Sequence, residues 1–285
     1  YLTASFALGR RLVTFDRHLD RLIAEATPVA NGRATRSPSD LLRTLTALVT
    51  ARDASRDGAK PASPGLDDVI NQLGAGLRLL THGDGSLAVF HGGREEDAEL
   101  VASVVARTSK TSPASMQGFA TLAQGRLRVI AETAGQLEEG IDQFASALAI
   151  EVSIGKERLF VNCGGPDDTD SAWRTAARAT AAHTALVIDD RNQGCAMTPS
   201  AQPDVLRGEE DDNAWLEIAA NGYGSTFGVR TTRRFHIAKD GHELVGEEHI
   251  HPLRTASPEG IPAELCARYH LHPKVSASPL GDGRQ

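Results

Sequence analysis

The chain has few of the features that define specialised classes of protein. Its 285 residues include only three cysteines, Cys163, Cys195 and Cys266, and no C-x-x-C pair. Three widely separated cysteines exclude a disulfide framework and a zinc ribbon. No apolar run reaches the roughly 18 residues that a membrane helix needs, so we expect no membrane span.

An excess of basic charge is also absent. Lys and Arg number 30 against 37 Asp and Glu, which gives a formal net charge of -7 and a sequence pI of about 5.8. Proteins bind the nucleic-acid backbone mainly through Lys and Arg, so we expect no nucleic-acid partner. A locally basic groove within an acidic protein remains compatible with an anionic substrate.

The start of the chain lacks both Met and a charged-then-apolar leader, since it begins at Tyr1. We therefore expect the chain to be a piece of a longer protein. The absence of a signal peptide then says nothing about export.

The first part of the chain has helical patterns. Leu, Ile and Val recur at spacings of three and four over residues 7–26, 37–55 and 63–83, and the last two stretches begin with Ser-Pro. A further helix is predicted over 95–108. Turn-rich segments separate the first three stretches, which predicts stacked helical hairpins.

The pattern changes near Ser112. Short alternating stretches such as "GRLRVIAET" and "NAWLEIAANGYG" then recur between Gly, Asp, Asn and Pro turns, and "AKDGHE" is typical of a tight hairpin. We therefore predict a helical segment over 1–112 and a mainly antiparallel β domain over 113–285.

Five motifs, in this order, resemble the heparinase II/III family of polysaccharide lyases. They are "LRLLTHGDGSLAVFHGG", "RLFVNCGGP", "WRTAARATAAHTALVIDD", "FGVRTTRRFHIAKDGHELVGEE" and "ARYHLHP". The resemblance implies an α+β multidomain protein. Residues 1–112 would be the end of an N-terminal (α/α) toroid, and residues 113–285 would be a C-terminal antiparallel β-sandwich that is cut short at its C-terminus.

The resemblance also implies an activity. Lyases of this family cleave uronic-acid-containing glycans by β-elimination, which needs a group that neutralises the carboxylate, a base for the C5 proton and an acid for the leaving O4. In the family an Asn-His pair and the main Tyr lie on the toroid, which would place them before Tyr1. We therefore expect this chain by itself to lack lyase activity.

The resemblance also implies a zinc site, which relatives in this family carry. This chain keeps one of the ligand positions. His183 in "AAHTAL" matches the last ligand, but "QFASALAIEVS" stands where a His-x-His strand would fall, and Asn162 occupies the Asp position. Structural and catalytic zinc sites need at least three protein ligands. We therefore predict no metal and no other cofactor, with a degenerate zinc site at His183 as the alternative.

The resemblance makes His183 and Tyr223 candidate catalytic residues. The alternative for His183 is a buried ring that holds its segment onto the sheet. Tyr223 lies in "ANGYGS", where relatives often carry a His at the position of Ala220. That departure weakens the catalytic interpretation of this loop.

Arg178, Arg233 and Asn162 are candidate substrate-binding residues. A guanidinium at Arg178 suits bidentate pairing with a uronate carboxylate, or else fixes its own loop. Arg233 and Arg234 alternate across a strand, so at most one of them faces a cleft, and a solvated sheet edge is the alternative for the pair. "EEHIHP" and "RYHLHP" leave a metal open as an alternative, because each places two imidazoles on one strand face. The four histidines are His249, His251, His270 and His272.

Two functions follow from these observations. The first is a fragment of a heparinase II/III-like lyase that acts on an anionic polysaccharide in the periplasm or cell envelope. The alternative is a non-catalytic carbohydrate-binding or envelope-associated protein on the same fold, because fold does not dictate function.

Overall fold

A computed structural model describes residues 13–57, 65–111, 113, 115–116, 118–133, 144–165, 171–194, 204–253 and 262–278. Among these described residues, four helices precede the strands: α1 (Val13–Ala30), α2 (Pro38–Asp57), α3 (Leu66–Leu79) and α4 (Ala98–Val105). Within the described ranges, no helix is both long and apolar enough to cross a membrane.

Antiparallel strands make up most of the remainder. A five-stranded meander contains β1 (Ser115–Met116), β2 (Phe119–Gln124), β3 (Leu127–Glu132), β4 (Ile150–Ile154) and β5 (Glu157–Phe160) in sequence order. A four-stranded sheet contains β7 (Asp204–Glu210), β8 (Asn213–Ala220), β9 (Val229–Ile237) and β10 (Leu244–Pro252).

Shorter elements connect and extend these sheets. Helix α5 (Ser171–Arg178) and a 3-10 turn (Thr180–Ala182) lead into β6 (Leu186–Ile188), which pairs with β11 (Leu265–Ala267). Helix α6 (Gly224–Phe227) lies between β8 and β9. The predicted hairpin is confirmed, because β9 and β10 pair antiparallel across Asp240 and Gly241.

The two larger sheets enclose one apolar core. Alternate residues of each sheet face the other, as expected for strands whose side chains alternate. The five-stranded side of this core contains Ala120, Leu122, Leu127, Val129, Ala131, Leu148, Ile150 and Val152, and the four-stranded side contains Ala214, Leu216, Ile218, Ala220, Phe235 and Ile237. The antiparallel character expected from the alternation is therefore confirmed.

The helices pack against the opposite face of the five-stranded sheet. A second apolar cluster joins helix residues such as Leu45, Ile70 and Leu77 to Phe119 and Ile130. The five-stranded sheet is therefore buried on both faces. The helical layer extends to Val105 and the strands begin at Ser115, while the boundary at 112 and membership of a toroid stay predictions.

Glu151 of β4 is a buried polar residue on the helix-facing side of this sheet, where it binds the helical layer. Its Oε2 lies 3.0 Å from Nε2 of His82, and its Oε1 accepts hydrogen bonds from the main-chain N–H of Val89 and of Asn162, each at 3.0 Å. His82 Nδ1 in turn lies 2.9 Å from the hydroxyl of Ser153. The Glu151 side chain has no solvent exposure, so the bonds replace its hydration.

Removal of this carboxylate provides a test of the interface. We expect Glu151→Met to lower the free energy of unfolding by about 3–5 kcal/mol, because it leaves buried donors without an acceptor. Urea unfolding measures the difference. Glu157→Gln on exposed β5 is the matched control and should change stability by less than about 0.5 kcal/mol. Equal effects from the two substitutions would contradict the role of Glu151.

Candidate functional site

A cleft of about 560 Å³ opens between the helical layer and the β domain. Its described walls come from the segment at the start of α2, from the loop after Phe90, from Phe144 and from α5. Distant parts of the sequence therefore meet in one concave surface, which is the usual form of a binding site.

Positive charge predominates in this cleft. Arg43, Arg94, Arg174 and Arg178 line it, against the two carboxylates of Asp40 and Glu96. Asp40 is partly neutralised, because its Oδ1 lies 3.0 Å from the guanidinium of Arg43. The cleft is thus locally basic within an acidic chain, and this distribution attracts anions to it.

The end of α5 is fixed beside the cleft. Arg174 and Arg178 are four residues apart, so they lie on the same face of the helix. The main-chain N–H of Ala145 donates a 2.9 Å hydrogen bond to the carbonyl of Arg178. The guanidinium of Arg178 also lies 6.0 Å from the ring centroid of Phe144. Arg178, a substrate-binding candidate of the sequence analysis, therefore lines this cleft, and its role stays a prediction.

His91 is the imidazole that lines the cleft. Its Nε2 lies 2.7 Å from Oε1 of Glu132, and its backbone is left-handed, with φ of 48°. A Cβ on the following Gly92 would lie 2.9 Å from the ring of Phe144, so this turn packs closely against the cleft wall. Left-handed backbone is uncommon for residues other than glycine, and it persists here because the surrounding contacts determine it.

Glu132 orients His91 from the protein interior. Burial alone would raise the pKa of this carboxyl, but His91, Arg36 and Ser146 together hold its pKa below the ordinary value. The carboxylate is therefore ionised and accepts hydrogen bonds from the Ser146 hydroxyl at 2.7 Å and from His91 Nε2–H. Nδ1 of His91 is buried and has no hydrogen-bond partner among the residues that the structure describes.

His183 is buried behind the cleft wall. It is 1% exposed, and its ring makes an edge contact with Phe144, the centroids being 6.0 Å apart. In the described structure neither ring nitrogen has a hydrogen-bond partner. Burial lowers the pKa of His183 to about 4, so the ring is neutral at pH 7. His183 therefore contacts a lining residue but does not itself line the cleft.

Asn162 and Arg233 are held in the interior, although sequence analysis made them substrate-binding candidates. Asn162 Nδ2 donates to Glu151 at 3.1 Å, and its Oδ1 accepts the main-chain N–H of Thr184 at 3.0 Å. Arg233 has no exposure and donates 2.7 Å bonds to the carbonyls of Leu148 and Thr184. Both side chains tie the segment that carries His183 to the sheets.

Tyr223 lies in the small core beside β6. Its hydroxyl accepts the main-chain N–H of Ile188 at 3.2 Å and lies 3.1 Å and 3.0 Å from the carbonyls of Leu186 and Arg191. Burial raises its pKa to about 12. These surroundings oppose a proton-transfer role, and Tyr223 is not among the residues that line the cleft.

The two His-x-His pairs lie apart, one on β10 and the other in the segment after β11. His249 and His251 are exposed on β10, with ring centroids 6.2 Å apart, whereas His270 Nε2 binds the carbonyl of Ala181 and His272 Nε2 binds Glu95. Over the described ranges, no group of three His, Cys, Asp or Glu side chains is arranged to hold a metal ion.

Sequence analysis missed most of the cleft. The spacing of Arg174 and Arg178 is a local signal, and "FHGG" marks an unusual turn after His91. Arg43 and Arg94 carry no comparable signal, because only the tertiary fold brings them beside α5.

The lowered pKa of His183 predicts a measurable pH effect. Below pH 6.5 the unfolded chain binds a proton at this residue, whereas the folded chain does so only near pH 4, so folding stability falls across this window. We expect His183→Leu to remove up to about 3 kcal/mol of that fall and to change stability little at pH 7, because no hydrogen bond is lost. Urea unfolding between pH 7 and 4 checks this, and identical pH slopes in both proteins would contradict it.

Comparison with known proteins agrees with this architecture. Residues 106–285 match the family described as Heparinase II/III-like, C-terminal. The chain is 29% identical over 245 residues to FtsZ-localized protein C of Caulobacter vibrioides, a match that covers 78% of this chain and 41% of that protein.

Solved structures share the fold. One is a crystal structure of heparinase III, with a TM-score of 0.62, 10% identity, and coverage of 87% of this chain and 45% of that chain. Another is a mutant of heparan sulfate lyase HepC from Pedobacter heparinus, with a TM-score of 0.59, 13% identity, and coverage of 78% and 39%. The chain spans less than half the length of these relatives. From the family match and the shared fold, the chain belongs to the heparinase II/III-like family.

Proposed function

We propose that the cleft binds an anionic, uronate-bearing polysaccharide, and that the whole protein is a polysaccharide lyase. The observation that carries this proposal is the convergence of four arginines from three separate segments on one cleft of an acidic chain. The family membership supports the choice of a polysaccharide as the anion.

Arginine suits this ligand on physical grounds. A guanidinium presents parallel N–H donors that match the two oxygens of a carboxylate, and it keeps its charge at all physiological pH values. Several arginines along one cleft match a polymer that carries repeated carboxylates. The net charge of -7 disfavours binding of the same polymer elsewhere on the surface.

The same arginines would contribute to β-elimination. A guanidinium on the uronate carboxylate stabilises the negative charge that develops when the C5 proton leaves. The lining residues in the described part of the chain include His91 but no tyrosine and no asparagine. We therefore assign the remaining proton-transfer groups to other parts of the protein, in keeping with the toroid that the family resemblance implies.

A second candidate is a non-catalytic glycan-binding protein of the cell envelope, acting where cells divide. The relative named FtsZ-localized protein C favours it, since that name describes a location at the division apparatus and not a reaction. The burial of His183, with both ring nitrogens unpartnered among the described residues, also argues against proton transfer at that position, as expected for a non-catalytic protein.

Loss of the α5 arginines tests the binding site. We expect Arg178→Gln to raise the Kd for polygalacturonate oligosaccharides about 10- to 100-fold, because one charge-assisted contact of about 1.5–3 kcal/mol is lost. Arg174→Gln should act in the same direction. Arg126→Gln, at the exposed hairpin between β2 and β3, is the charge-matched control and should leave the Kd within twofold. Calorimetric titration gives the three values, and equal Kd values for Arg178→Gln and Arg126→Gln would rule out this cleft.

An assay for unsaturated uronate separates the two candidates. If the protein is a lyase, the full-length protein should release unsaturated uronate from an acidic glycan. Arg178→Gln should then reduce the rate at least 10-fold. The 285-residue chain alone should bind but release none. Binding without product from the full-length protein would select the non-catalytic candidate.

A further inference from the structure

Trp173 is an exposed aromatic side chain on α5. It is 66% exposed, whereas tryptophan is usually buried over most of its surface. The chain has one other tryptophan, Trp215 on β8, and that side chain is only partly exposed. The guanidinium of Arg234 lies 4.7 Å from its centroid, and Gly208 packs so closely that an added Cβ would lie 2.9 Å from the ring. Exposure therefore distinguishes Trp173 from Trp215.

The position of Trp173 relates it to the cleft. Ala177, four residues later on the same helix, lines the cleft, as does the adjacent Arg174. Residues four apart on an α-helix lie on the same face, about one turn of 5.4 Å apart. Trp173 therefore lies next to the cleft, adjacent to Arg174 and one helical turn from Ala177.

We propose that Trp173 is a stacking platform for a pyranose ring of the glycan that the cleft binds. This inference rests on the proposed glycan-binding function and extends the site beyond the arginines by one sugar unit. The face of an indole carries partial negative charge, and the faces of a pyranose present C–H bonds with partial positive charge. Stacking also buries apolar surface that is exposed in the free protein.

The platform would give the site a selectivity that arginines lack. Arginines recognise a carboxylate on any polymer, including a polypeptide of glutamate. A flat indole recognises the ring that carries the carboxylate and loses little conformational freedom, because tryptophan has only two side-chain torsions. Together they select an acidic sugar polymer over other polyanions.

Single-tryptophan fluorescence tests this proposal directly. In Trp215→Phe, Trp173 is the only tryptophan of the chain. We expect saturating polygalacturonate oligosaccharide to shift its emission to shorter wavelength and to reduce its quenching by acrylamide at least twofold. In the converse variant, Trp173→Phe, emission from Trp215 should not change.

Affinity measurements complete the test. Trp173→Ala should raise the Kd for the oligosaccharide about 10-fold, Trp173→Phe should raise it less than threefold, and neither should change the Kd for polyglutamate. Arg178→Gln should weaken both ligands. Circular dichroism and thermal unfolding establish that each variant is folded.

Three outcomes would overturn the platform. If Trp173→Ala binds the oligosaccharide with wild-type affinity while Arg178→Gln does not, the glycan site stands and the platform is wrong. An unchanged Trp173 emission at saturation leads to the same conclusion. If the unaltered chain binds no acidic glycan, the proposed function fails and the platform fails with it.

Discussion

The buried Glu151 carboxylate is the interaction on which the arrangement of the helical layer depends. Its oxygens bind His82 and Val89 from the segment after α3, and both the main chain and the side chain of Asn162 from the segment after β5. Each of these groups would be costly to bury without a partner. One side chain of β4 therefore fixes the helices and the loop after β5 against the sheet. The cleft depends on this because its walls come from both sides of the same interface.

Glu132 is a second buried carboxylate of this kind, and it lies at the edge of the cleft. It lies on the helix-facing side of β3, where it binds His91 from the turn after Phe90 and Ser146 from the segment before β4. Burial of a carboxylate is expensive unless several donors meet it. The two networks therefore tolerate little relative movement of the helical layer and the sheet, and they hold the turn that carries His91 in its left-handed conformation.

The local parts of the fold could be predicted from the sequence, whereas the role of its interior polar residues could not. Alternation identified the strands, and Asp240-Gly241 identified the hairpin between β9 and β10. Asn162 was a candidate because it occupies the Asp position of the family's zinc site, and Arg233 because alternation lets one of the pair Arg233 and Arg234 face a cleft. Asn162 is instead bound to Glu151, and Arg233 on β9 is bound to the carbonyls of Leu148 and Thr184. No pattern within one strand reveals these partners, because they come from distant parts of the chain. Arg43 and Arg94 likewise lie beside α5 only in the folded chain, so no local sequence pattern predicts their position.

His183 lies beside the cleft but does not line it. Thr184, the next residue, is held by Asn162 through its N–H and by Arg233 through its carbonyl, so the segment is fixed to both sheets independently of the imidazole. The ring itself is neutral at pH 7 and sealed behind Phe144. The arginines that we propose bind an anion include Arg174 and Arg178 on α5, where the Ala145–Arg178 hydrogen bond holds the helix end beside the cleft. His183 contacts the Phe144 ring that lines this cleft but does not line it, so the proposed site does not include the imidazole.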